Sequence, residues 1–167
     1  QNKDALQFLA DLCEYEDVAR QVSDHDIPFN IKNGLEMTIL HIYKNLLNFP
    51  KLRQKVSQCL QPIHLMAITI HENPTDTCEC LTFYDFEMDH SKLIINIDLI
   101  PKIAEVSQST PLALKLLSRI FSICSVDDLL EYKYLIHDLL EKNDQVFKED
   151  DDIYSKLVSV DSNKNEP

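Results

Sequence analysis

The sequence predicts an all-α fold built from repeated helical layers, on three observations. Only one glycine, Gly34, occurs in 167 residues, and sheets joined by tight hairpin turns need more. Apolar residues recur at helical spacing along most of the chain. The pattern also returns when the chain is slid by 34 positions, which is how stacked helical units are written in a sequence.

Composition narrows the function classes. Hydrophobic residues make up 44% of the chain, enough for a packed core and too many for global disorder. A glycine-rich phosphate loop cannot be built from one glycine. Sixteen basic and 28 acidic residues leave a net charge of −12. That charge repels a phosphate backbone, so direct nucleic-acid binding is not expected, and it suits basic segments of other proteins. No apolar run reaches the ~20 residues of a membrane span, and no secretory signal opens the chain. Gln1 in place of Met, with a helical pattern under way by Asp4, leads us to expect a piece of a longer protein. The five cysteines (Cys13, Cys59, Cys78, Cys80 and Cys124) are odd in number and spread out. Read as free thiols, they imply a reducing compartment, cytosol or nucleus.

The elements follow in order. Ala5, Leu6, Leu9, Leu12 and Cys13 make the apolar side of a first helix, and Val18 and Val22 mark a shorter second one. Pro28 starts a third, because proline fits the first turn of a helix and breaks one from within. At a shift of 34, Leu6, Leu12, Val22, Ser23 and Pro28 fall on Leu40, Leu46, Val56, Ser57 and Pro62. In the looser third copy, Glu79 to Phe86 takes the place of the long helix, although Leu81 to Phe86 is rich in strand formers. Pro101 and Pro111 start two more helices, the second spanning Leu112 to Ile123 after a capping Thr110. Ser125 and Asp128 form a capping box ahead of a helix whose apolar face is Leu129, Tyr132, Ile136, Leu139 and Leu140. We therefore expect a repeat domain over residues 1–142. Residues 141–167 carry eight acidic and four basic side chains, and residues 143–167 read as an acidic, flexible tail, with one or two last helical turns at Ile153, Tyr154, Leu157 and Val160, or a short linear motif, as the alternative.

These signatures resemble the armadillo family of helical repeats, and more loosely the HEAT family. Ile27-Pro28, Gln61-Pro62-Ile63 and Ile100-Pro101 resemble its second-helix openings. Ala5 to Leu12, Ile39 to Leu46 and Ala113 to Ile120 resemble its third helix. The resemblance implies a right-handed α-solenoid of about three to four armadillo-like repeats, with an irregular helical bundle as the alternative. It also implies a concave groove lined by third helices, where an asparagine holds the backbone of an extended ligand. That position is occupied here by Asp11, Asn45, Asp85 and Arg119, at spacings of 34, 40 and 34. Without an asparagine ladder, recognition of nuclear-import signals is not implied. Glycines usual before the second helix are replaced by residues such as Asp26, Leu60 and Leu99. One turn earlier on the same face lie Gln7, His41, Leu81 and Lys115.

The expected function is a non-catalytic scaffold or adaptor. It would bind a protein or peptide segment through Gln7, Asp11, His41, Asn45, Asp85, Lys115 and Arg119. An exposed apolar edge on the first helix would allow self-association. Two other readings stand beside it: repeats that only space a longer protein, and a zinc-dependent enzyme. Cys78-x-Cys80 with His71 and His90 offers metal-like residues, but zinc sites are usually written as paired Cys-x-x-Cys. No metal, cofactor or catalytic residue is assigned.

Overall fold

The computed structural model describes residues 3–24 and 34–164, and every regular element among them is helical. The expected helix start at Pro28 lies outside the described residues, as does Asp26. The chain divides into two compact units, Gln1–Asp85 and Phe86–Pro167. The expected boundary after residue 142 is not where the packing divides.

Unit one holds α1 (Lys3–Leu12), α2 (Glu16–Asp24), α3 (Glu36–Leu47), α4 (Pro50–Ser57), α5 (Gln61–Thr69) and α6 (Pro74–Thr82). Helix α3 is apolar nearly all round, with Ile39, Leu40, Ile42, Tyr43, Leu46 and Leu47 buried. Such a helix must be covered on every side, and α1, α2, α4, α5 and α6 all pack on it. The 34-residue shift places α1 on α3 and α2 on α4. In space α1 packs on α3, and α2 on α4, where Lys55 pairs with Asp24. Pro50, Pro62 and Pro74 each occupy the first turn of a helix. Only Pro62 of these three was expected there.

The third copy departs from expectation. Its helix begins earlier, at Pro74, where the Asn73 side chain accepts the Asp76 N–H at 3.3 Å. It ends at Thr82, so Phe83 to Phe86 is neither helix nor strand. The reason is Tyr84. Its buried hydroxyl lies 2.9 Å from the carbonyl oxygens of both Ser57 and Cys59. That anchor pulls the chain across the end of α4, and the Asp85 N–H donates to Ser57 Oγ at 2.8 Å.

Unit two begins with a 3-10 turn, Met88–His90. It continues with α7 (Ser91–Asn96), α8 (Leu99–Val106), α9 (Leu112–Ile123), α10 (Val126–Leu129), a second 3-10 turn (Leu130–Tyr132), α11 (Lys133–Lys148) and α12 (Asp151–Asp161). Helix α9 has the expected bounds, although Pro111 occupies the cap position and no side chain caps it. Ser125 and Asp128 form the expected capping box, with both bonds at 3.1 Å. The turn into α8 carries no glycine. Asp98 takes the left-handed conformation there, φ 53 and ψ 40, which a short polar side chain tolerates better than most. Its carboxylate accepts the Tyr132 hydroxyl at 3.2 Å.

The expected flexible tail is a correction. Residues 143–161 are folded within unit two. Helix α11 runs through a kink at Asn143, φ −137 and ψ 33, and brings Phe147 to 1% exposure. The Phe147 ring centre sits 6.0 Å from that of Phe121. Helix α12 buries Ile153, Leu157 and Val160. A shift of 40 sets these three on Ala113, Leu117 and Ile120 of α9, all buried. Helix α12 packs on α9, and α10 on α7, so the supposed tail is a packed helix of unit two. Lys156 fixes it: its Nζ donates to the carbonyl oxygens of Phe121, Ser122 and Cys124 at 2.9, 3.2 and 2.7 Å. Those are carbonyls at the α9 C-terminus, where a cation is favoured.

Candidate interaction site

The expected site residues fall in both units, and each unit is described by itself. On α1, Gln7 and Asp11 are exposed, and the Gln7 amide donates to Asp11 at 3.1 Å. His41 is half-buried on α3. It lines a hollow of about 270 Å3 with Met37, Leu40, Lys44 and Asp76. The structure therefore joins His41 to two groups that the sequence pattern did not single out.

Lys44 is the centre of this arrangement. Its Nζ lies 3.0 Å from Asp76 and 2.9 Å from Glu79, so one cation of α3 bridges two carboxylates of α6. Hydrogen bonds to Glu79 and then Asp76 hold Lys44 above the ordinary lysine range. The bond from Lys44 chiefly holds Asp76 below the usual carboxylate range. The His41–Lys44 spacing of three puts both on one helix face, and that spacing was the available signal.

Asn45 is placed differently from the expectation. It is 8% exposed, and its amide donates to the Ala10 carbonyl at 2.8 Å. This asparagine fastens α1 to α3. Asp85 lies beyond the end of α6, exposed, and is not on a long-helix face. In unit two, Lys115 is exposed on α9 and Arg119 is half-buried. The Arg119 guanidinium stands 5.4 Å from the centre of the Phe86 ring.

The four buried thiols are held away from nucleophilic chemistry. Cys13, Cys78, Cys80 and Cys124 are buried, and Cys59 is exposed rather than packed as expected. Burial pushes Cys78 and Cys124 each up to about 11, where a thiol stays protonated at neutral pH. The ring Nδ1 of buried His90 accepts the Glu87 N–H at 2.9 Å. Among the described residues, no group of three or more His, Cys, Asp or Glu side chains is placed to hold a metal ion. No helix there is long and apolar enough to cross a membrane.

Compared with known proteins, the chain matches no family model, no curated protein and no solved structure.

Proposed function

We propose that this protein is a non-catalytic interaction scaffold, a right-handed α-solenoid of armadillo-like layers that holds a segment of another protein. The face engaged is the one where α3 packs beside α1 and α6. The observation that carries the reading is the hollow on α3 and α6. It pairs an apolar floor, Met37 and Leu40, with the polar groups His41, Lys44 and Asp76. Small mixed hollows of this kind receive individual side chains of a ligand. The 34-residue register puts Gln7 and Asp11 on α1 in line with His41 and Asn45 on α3, which extends the face to a second layer. Asp85 is a further proposed contact in unit one, Lys115 and Arg119 are proposed contacts of unit two taken by itself, and Asn45 holds α1 to α3 beneath.

The partner is a protein or peptide. At −12, the chain gains nothing from a nucleic acid or an anionic membrane surface. Buried protonated thiols suit the cytosol or nucleus. Self-association would use α1, where Phe8 is 64% exposed.

Photo-crosslinking tests the reading against a spacer role. A photoreactive residue at Gln7 or His41 of the intact protein captures a second protein in cells, and one at Gln54, exposed on α4, does not. Equal capture from all three positions, or none from any, contradicts the scaffold reading.

A further inference from the structure

Helix α1 is apolar over most of its circumference, yet Ala10 is the one residue of it that is buried. Leu6, Leu9 and Leu12 are half-buried, Ala5 is exposed, and Phe8 is 64% exposed. Ala5, Phe8 and Leu12 stand at i, i+3 and i+7, which makes them a stripe along one side of the helix. Tyr15, also exposed, follows the stripe in the turn before α2. At about 100° per residue the stripe lies across the helix from Ala10, whose carbonyl Asn45 of α3 bonds. The neighbouring layer shows what such a face receives. At the 34-residue register Ala5, Phe8 and Leu12 fall on Ile39, Ile42 and Leu46 of α3, all buried beneath packed helices. A stripe with this period is closed by another helix.

Charge selects the occupant. Asp4 and Asp11 stand one position before Ala5 and Leu12, seven residues apart on one edge of the stripe, and both are exposed. Exposed Glu14 and Glu16 flank Tyr15. Among the described residues none of these four carboxylates has a cationic partner. Asp11 accepts the neutral Gln7 amide, which leaves its charge in place. Lys3, the one cation of α1, lies on the opposite side of the helix from the stripe. Arg20 of α2 is engaged by Asp17, and Lys44 of α3 by α6. We propose that the α1 stripe docks an amphipathic helix of a partner protein, its apolar row bordered by lysines or arginines. The apolar row covers Phe8 and Leu12, and the bordering cations reach Asp4 and Asp11. A second copy of this chain is the poorer occupant, since it brings like carboxylates together along the same edge. The inference rests on the reading of the protein as a scaffold and names the chemistry of its partner at α1.

The test titrates the full chain with short fluorescent helical peptides by anisotropy. The probes carry a leucine row bordered by lysines, the same row bordered by glutamates, and a serine row bordered by lysines. The leucine–lysine peptide is expected to saturate, with the other two bound about tenfold more weakly or worse. Phe8→Gln, at an exposed position, weakens binding by about tenfold without lowering the melting temperature. The pair Asp4→Lys, Asp11→Lys reverses the preference toward the glutamate-bordered peptide. The pair Asp138→Lys, Glu149→Lys makes the same change of net charge at exposed positions of unit two and leaves binding unchanged. Failure of the leucine–lysine peptide to saturate overturns the proposal, as does undiminished binding by Phe8→Gln or an equal loss in the unit-two pair. A dimer seen by sedimentation and abolished by Phe8→Gln, with no peptide bound, assigns the stripe to a second copy and also overturns it. Crosslinking from His41 reports the scaffold reading separately, so capture there with no saturation here overturns this inference alone.

Discussion

At the scale of single residues, much of the architecture rests on side chains that reach backbone. Asn45, Tyr84 and Lys156 each bond carbonyl oxygens far away in sequence, and Asp98 supplies a left-handed turn without a glycine. Asp98 combines two effects that substitution separates. Asp98→Val places a β-branched residue at positive φ and removes one of two partners of the Tyr132 hydroxyl, so it should cost about 2–3 kcal/mol in equilibrium denaturation. Asp98→Gly loses the same hydrogen bond but relieves the backbone, so its cost should be smaller by about 1 kcal/mol or more. Equal losses would mean that the left-handed conformation contributes nothing. No propensity scale announces these bonds, because each depends on which carbonyl the fold brings near. The capping box at Ser125 was legible, since both of its partners lie within one turn.

At the scale of elements, periodicity located the helices well where the apolar face is broad and the start signal is local. Helix α9 appeared with its expected bounds for that reason, and α1 and α2 nearly so. The region from Glu79 to Phe86 failed because a distant anchor, Tyr84, overrides local preference. The segment after Asn143 reads as a tail because its charges outweigh the short stripe of Ile153, Leu157 and Val160, which the sequence offers as no more than a turn or two of helix. That stripe matters only once α9 is present to receive it. Leu157→Ala should therefore cost about 2–5 kcal/mol by denaturant unfolding, as for any wholly buried leucine; a change below about 0.5 kcal/mol would return residues 143–161 to the status of a tail. The same pair of helices carries a pH dependence. His137 of α11 lies 2.8 Å from Asp161 of α12 and 3.0 Å from Glu141 of its own helix. The bond to Asp161, above all, raises its proton affinity from the ordinary 6.5. A raised folded value means that the contribution is complete below about pH 6.5 and is lost as pH climbs through the higher folded value. The melting temperature of the protein should fall over that range relative to His137→Gln. Parallel curves for the two proteins would dismiss the contact as energetically silent.

At the scale of the whole molecule, the sequence made the helical class and the repeated spacing visible. It could not reveal the division at Asp85, because contacts between elements are not written locally. The candidate face was legible only in part. Gln7, Asp11 and His41 followed from register, but register also nominated Asn45, which the core consumes, and passed over Lys44 and its two carboxylates. A lysine reads as an ordinary exposed residue until α6 sets Asp76 and Glu79 against it. The account stands or falls on whether the exposed polar residues of the α1–α3–α6 face contact a partner. The direct measurement is the affinity of the crosslinked partner for a Gln7→Arg, Asp11→Arg double variant, with its melting temperature determined alongside. A loss of about tenfold or more with an unchanged melting temperature is the predicted result. Undiminished affinity in that variant would contradict the claim that this face is where the protein works.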